Sequence, residues 1–466
     1  MIFNNKKIEK LVGIASLVAT LIFCIAKLFS CSVSFHGDAC YQCIISDYWN
    51  MTKSIANGSR LYVDVIDHKG LYLYLLYLPF VLLGKNSMWP VVLAEFLIFT
   101  GTVAAFYYMV AGFVKEKSHR AVLTALFSAS YLILSKNAAL FNTDPMLVPF
   151  YFVLFRYVTN SKIYKPRDFF LIGLVIGFFV NIKYASILYF TGLFVFASFA
   201  YLYQKNRFAK YLKLVASGVL GAFIVNLPFL FYLLKTKTLR LFFYYMKLSS
   251  GASMKRCVIL FTLFAVCIAL TCFLYAKKRN YLWGLAVSSF LVSYIGMLFN
   301  PNYIAVAVLL LAPACLSCKK MVFYTIFSFL FIVATMEDAS HYSTKQVADS
   351  YGISNSNIVY LTEDVGFGSY KPDGFKEPYQ WIPARFLKND AFYQEILELN
   401  RERILEKRFR FFVLTDYSKV EEIDENDRYY KICEELRPFL EKTYHPIEIS
   451  ISKETALILW ELDDNR

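Results

Sequence analysis

The sequence predicts a polytopic α-helical membrane protein of about eleven transmembrane helices plus one interfacial helix, followed by a small C-terminal α/β domain. Three observations predict it. The 466 residues are 58% hydrophobic, include 45 Phe and have a mean hydropathy of +0.45, well above the soluble average, and the apolar runs reach the ~20 residues a helix needs to cross a bilayer. The charge is divided: residues 1–336 carry a net +23 and residues 337–466 a net −9. The basic residues of the first part gather in short loops between apolar runs, at 4–10, 115–120, 162–167, 205–213, 277–279 and 319–320. That is the pattern of cytoplasmic loops, so the basic balance argues for topology and against a nucleic-acid partner.

With all six loops inside, the spans fall near 10–32, 88–113, 121–136, 140–158, 169–183, 184–203, 211–234, 256–276, 281–299, 303–317 and 321–336. The N-terminus is then cytoplasmic and the acidic tail extracellular. The first run has no small-residue cleavage site after it and reads as a retained helix rather than a signal peptide. Residues 71–83, LYLYLLYLPFVLL, are apolar but short and carry Pro79, which favours an interfacial helix. The expected organisation is a membrane domain over 1–336, with a first outer loop at 33–87, and an extracytoplasmic domain over 337–466. In the tail, strands are expected at 357–361, 411–416, 447–451 and 456–462, and helices at 390–408 and 421–440. Strands alternating with helices predict an α/β domain. The ten cysteines form no zinc-finger spacing; most lie in apolar runs and behave as small hydrophobes.

The chemistry-bearing residues are unevenly placed. Residues 1–336 contain nine acids, and four of them, Asp38, Asp47, Asp64 and Asp67, lie in the polar segment 34–70. That segment closes with Asp67-His68-Lys69-Gly70, three ionisable groups directly before an apolar run. Asp144 opens a span after Asn142-Thr143, Lys183 sits in the hairpin Asn181-Ile182-Lys183-Tyr184, and Tyr303 follows Asn300-Pro301-Asn302. Ionisable groups at membrane depth or at span ends are costly and suggest function. Each also has a plainer reading. Asp47 reads as a solvated face residue, and Asp64 as a local cap or pair. Asp144 before Pro145 suits a helix N-cap, and Lys183 suits a lysine snorkelling to the interface. Glu95 lies within a span with no obvious partner.

The order of these motifs resembles the first outer loop of the GT-C glycosyltransferases, closest to the bacterial protein O-mannosyltransferase and aminoarabinose transferase-like group. The residues that carry the resemblance are Asp38 soon after the first helix, Asn57-Gly58 with Leu61-Tyr62-Val63-Asp64, and Asp67-His68-Lys69-Gly70 with Leu73-Tyr74. Asn142-Thr143-Asp144, Lys183 and Asn302-Tyr303 with Pro313 extend it along the chain. There are departures. Ala39 follows Asp38 where the group often has a second acid, which weakens a two-carboxylate metal site. Leu71 stands where Pro is common, and Asn302 where a His precedes the Tyr.

The resemblance implies a plasma-membrane enzyme that takes a sugar from a polyprenyl-phosphate donor. It would place that sugar, with inversion, on a hydroxyl of a lipid, polymer or protein at the outer face. Asp38 would be the general base, with Asp144 a second catalytic acid. Lys69, His68 and Lys183 would bind the donor phosphate, and Asp67, Tyr62 and Tyr303 the substrate. No cofactor is expected, and a divalent metal is not favoured because the loop acids are unpaired. Two other readings stay open: a transporter or flippase of lipid-linked sugars, and a non-catalytic cell-envelope assembly protein.

Overall fold

The computed structural model describes residues 18, 22, 43–84, 89–135, 140–160, 164–184, 186–205, 207–249, 254–279, 281–296, 350–362, 375–382, 384–415, 428–450 and 456–463. In chain order the helices of the first part are α1 (Cys43–Ala56), α2 (Leu71–Gly84), α3 (Trp89–Val110), α4 (Lys117–Ser135), α5 (Val148–Asn160), α6 (Pro166–Ile182), α7 (Ser186–Lys205), α8 (Phe208–Lys235), α9 (Leu239–Ser249), α10 (Met254–Ala276) and α11 (Leu282–Gly296). The tail contains β1 (Ile358–Leu361), α12 (Asp390–Leu405), β2 (Phe411–Thr415), α13 (Arg428–Thr443), β3 (Tyr444–Ser450) and β4 (Ala456–Leu462). Asp38, Tyr303 and the expected spans at 303–317 and 321–336 lie outside the described residues, as does nearly all of the expected span at 10–32.

The chain divides into two compact units. A helical unit is drawn from Met1–Cys31, Leu93–Leu230 and Ala252–Glu337; a mixed unit is drawn from Ser32–Val92, Phe231–Gly251 and Asp338–Arg466. The expected boundary grouped the first outer loop with the spans, whereas the compact unit groups it with the tail.

Among the described residues, Trp89–Val110, Ser186–Gln204 and Phe208–Lys235 are helices long and apolar enough to cross a membrane. In the helical unit α8 exposes Val219, Leu220 and Phe223, and α10 exposes Val258, Phe261 and Val266. Apolar side chains outward on helical backbone suit a hydrocarbon surround. Inside the unit, the Phe106 ring of α3 stacks on Phe127 of α4 at 3.9 Å and meets Phe152 of α5 edge-on at 5.4 Å. Helices α6 and α8 approach so closely that a Cβ on Gly173 would overlap the Gly218 carbonyl oxygen. Asn226 of α8 donates to the Gly177 carbonyl at 2.9 Å and accepts from Asn181 at 3.0 Å. Small residues at the contact and amides bridging it are how helices hold together where water cannot drive association.

One expected span is corrected. Residues 140–144 of the segment 140–158 are a buried turn, followed by a 3-10 turn at Pro145–Leu147; the α-helix starts only at Val148. Pro145 has no amide hydrogen to bond the Phe141 carbonyl, so the helix cannot run back through the turn. By contrast, α2 is a helix of 14 residues with Pro79 inside, and at 1.5 Å per residue its ~21 Å is short of the ~30 Å hydrocarbon core.

In the mixed unit the four strands form one sheet in the order β1-β2-β4-β3; β1 and β2 are parallel, and β4 runs antiparallel to β2 and β3. Ile358 and Tyr360, Phe411 and Val413, and Leu457 and Leu459 bury one face of the sheet with Ile353, as the two-residue period of a strand requires. Asn389 caps α12 by accepting the Phe392 amide at 3.0 Å, the role its short side chain favours. The tail packs on the first loop: Asn355 donates to Asn50 at 3.1 Å, and the Phe375 amide donates to Ser54 Oγ at 2.7 Å. Asp47, expected as a solvated residue, is only 6% exposed. It lies on α1, which is covered by α2 and by these tail contacts.

Candidate active site

Two polar clusters stand out, one in each unit. In the helical unit the centre is Asp144, which is fully buried. It occupies the N-cap of the 3-10 turn with Pro145 next, but its side chain makes no capping bond. Both carboxylate oxygens instead accept from Lys183 Nζ at 2.7 Å, and the Tyr189 hydroxyl donates to Oδ1. The capping and snorkelling explanations therefore do not describe this pair. Lys183 keeps only 12% side-chain exposure, and its ammonium points to a carboxylate rather than to an interface. The hairpin between α6 and α7 explains the geometry: it ends α6 at Ile182, turns through Lys183, and starts α7 at Ser186 with Tyr189 on its first turn. Asn142 fixes the approach of the turn, its Oδ1 accepting the Thr143 amide at 2.6 Å.

In the mixed unit the residues Asp67, His68 and Lys69 are 2–5% exposed. His68 Nδ1 lies 2.8 Å from Asp67 Oδ1, and Lys69 Nζ lies 2.7 Å from His68 Nε2. The His68 imidazole thus lies between the Asp67 carboxylate and the Lys69 ammonium. The Tyr74 hydroxyl donates to the other oxygen of Asp67. Burial works to raise the Asp67 carboxyl, yet His68, Lys69 and Tyr74 together hold it well below the usual carboxylate range. The His68 ring also meets Phe386 of the tail edge-on at 5.9 Å.

Tyr62 organises this segment. Its backbone is in the left-handed region at φ 73°, an uncommon and strained place for a bulky residue. Three contacts hold it there: its amide donates to the Val65 carbonyl at 2.8 Å, its ring packs 5.3 Å from Phe242, and its hydroxyl donates to the Lys69 carbonyl. Asp64 pairs locally, as expected, with its Oδ2 taking the Arg60 amide at 2.7 Å and Nε at 3.2 Å.

The fold thus brings Asp144 to Lys183, and Asp67, His68, Lys69 and Tyr62 into one neighbourhood. Sequence reasoning missed Tyr189 and named Tyr74 only as part of the motif that carries the resemblance, without a partner. Both are tyrosines within apolar runs, and only the hydroxyl marks them. Among the described residues no group of three or more His, Cys, Asp or Glu could hold a metal ion.

Residues 67–232 match the model of the dolichyl-phosphate-mannose-protein mannosyltransferase family. The match begins at Asp67 and takes in both Asp144 and Lys183. It bears out the resemblance to the GT-C group over a little over a third of the chain and supports a membrane-bound glycosyltransferase. No curated protein matches the chain.

Proposed function

We propose that this chain transfers a sugar from a polyprenyl-phosphate donor to a hydroxyl of a lipid, polymer or protein at the outer face of the plasma membrane, with inversion. The acceptor oxygen bonds to the anomeric carbon as the bond from that carbon to the phosphate oxygen breaks. The acceptor proton passes to Asp38, and the electron pair leaves on the polyprenyl phosphate. Charge on that leaving phosphate is the main barrier, and preorganised cations are the usual answer to it. Lys69, oriented through His68 and Asp67, and Lys183, held by Asp144 and Tyr189, are the cations assigned to it. Asp144 is bound on both oxygens, which suits it to hold Lys183 better than to take a proton. Tyr62 fixes the backbone at Lys69, and Tyr303 is assigned to substrate binding. A lipid phosphate leaves readily once neutralised by cations, so the reaction is proposed to be independent of divalent metal.

The observation that carries this reading is the buried Asp144–Lys183–Tyr189 cluster lying inside the segment that matches the mannosyltransferase family. The test is sugar transfer from radiolabelled polyprenyl-phosphate donor in membranes containing EDTA. Asp38→Asn should lower the rate by ~10²–10⁴-fold, the usual contribution of a general base. Full retained activity in that variant would remove Asp38 from the mechanism.

A further inference from the structure

Asn226 lies in the second half of α8, a helix long and apolar enough to cross a membrane, between the outward-facing Phe223 and Leu227. A carboxamide in such surroundings is costly unless its groups are bonded. Its Nδ2 donates to two backbone carbonyls, Ala222 of its own helix at 2.8 Å and Gly177 of α6 at 2.9 Å. Its Oδ1 accepts from Asn181 Nδ2 of α6 at 3.0 Å. A pair of carbonyls can be met only by the amide nitrogen, which fixes the oxygen toward Asn181. The bond to Ala222 stays within α8. The other two reach the last two turns of α6, which ends at Ile182, directly before Lys183.

The backbones of α6 and α8 touch along this seam. A Cβ on Gly221 would lie 2.2 Å from the Phe170 carbonyl oxygen, and one on Gly177 would lie 2.7 Å from Ala222 Cα. Such contacts fix how near the helices lie but have little direction along the axis. A carboxamide bonded to two points one turn apart on α6 does have that direction. The register matters because the last carbonyls of a helix have no partner within it, and at Lys183 the backbone is already extended, with φ −151° and ψ 110°. The Lys183 amide still bonds the Phe179 carbonyl at 2.8 Å, so the last turn of α6 sets where Lys183 begins. The Phe179 ring packs that turn against Phe150 of α5 at 4.7 Å, and Asn226 ties it to α8. From there Lys183 Nζ reaches both oxygens of Asp144 at 2.7 Å.

We infer that Asn226 is a positioning residue: through Asn181 and the Gly177 carbonyl it sets the register of the end of α6 and so delivers Lys183 to Asp144. A misplacement of about 1 Å in a supporting group can cost ~10²-fold in rate. For activity the inference rests on the glycosyl-transfer reading; for structure it stands alone.

The experiment has two readouts on the full-length protein in nanodiscs. Asn226→Ala breaks the bridge from α8 and Asn181→Ala from α6. Interhelical bonds of this kind are individually weak, so each variant should melt within ~5 °C of the wild type. The first readout is the Asp144–Lys183 pair. The drop in melting temperature caused by Lys183→Met should shrink to about half or less in the Asn226→Ala background, because a lysine no longer held on its carboxylate has less to lose. The second readout is sugar transfer. Lys183 is assigned to charge that develops on the leaving phosphate, so Asn226→Ala should lower kcat ~10-fold or more and leave KM within about twofold. The double variant Asn181→Ala with Asn226→Ala should be no worse than Asn226→Ala, since both changes break one bridge. Should Asn226→Ala fail to fold, Asn181→Ala, which leaves the Gly177 and Ala222 bonds in place, carries both readouts. An undiminished Lys183→Met effect, a wild-type kcat, a loss confined to KM, or losses that multiply in the double variant would each overturn the inference. If the wild-type protein transfers no sugar while the Lys183→Met effect shrinks as stated, the transferase reading falls and the positioning role stands.

Discussion

At the residue scale the account turns on a carboxylate with no exposed surface and the lysine that meets it. Breaking such a pair from one side leaves a charge buried without its partner and costs ~3–5 kcal/mol. Lys183→Met should therefore destabilise the protein by that order and also abolish transfer. Asp144→Asn should do the same from the other side. The double variant Lys183→Met with Asp144→Asn should recover stability relative to either single variant while staying inactive. Thermal unfolding of the three proteins checks the coupling; strictly additive losses would mean that the pair does not act as a unit. Asp144 and Lys183 could each be suspected from sequence, because ionisable groups are rare among apolar runs. Their pairing could not, since they are 39 residues apart. Tyr189 could not be singled out at all, being one of 35 tyrosines.

At the element scale the close approach of α6 and α8 depends on Gly173. A Cβ there meets backbone at Gly218, which cannot rotate away, so Gly173→Ala should destabilise the helical unit by ~1–3 kcal/mol, the range for overpacking. Gly101, in α3, has open space around its Cα. Gly101→Ala should be neutral or stabilising by up to ~1 kcal/mol. Comparing the two melting temperatures tests the packing directly, and equal effects would contradict it. Several elements were legible as periodicity and composition: β4 falls on the expected 456–462, and α12 begins at the expected Asp390. The break at 140–147 was read only in part: Asp144 before Pro145 was expected to cap a helix, while 140–143 were counted into the span. Residues 140–158 are apolar enough to pass for a continuous span, and what marks the turn, the bond from Asp144 to Lys183, joins residues 39 apart.

At the scale of the whole molecule, the first outer loop and the acidic tail share one compact unit. Sequence reasoning separated them, because the contacts that join them, Asn50 with Asn355 among them, span 305 residues. The tail is therefore expected to support the loop that carries Asp67, His68 and Lys69. Truncation after residue 337 should speed proteolysis of the loop and lower transfer ~10-fold or more, as loss of cooperative packing does. Phe386→Ala, which removes the ring against His68, should shift both readouts in the same direction by less. A truncated protein with full activity and an equally protected loop would show that the tail serves something else.

The central claim is that a glycosidic bond is made and a polyprenyl phosphate is released. Purified protein in proteoliposomes, given a donor labelled in both sugar and lipid, tests it most directly. The account predicts one polyprenyl phosphate freed for each sugar joined to an acceptor, and neither product with Asp38→Asn. Donor that crosses the bilayer intact, with no lipid phosphate released, would contradict it and identify a transporter instead.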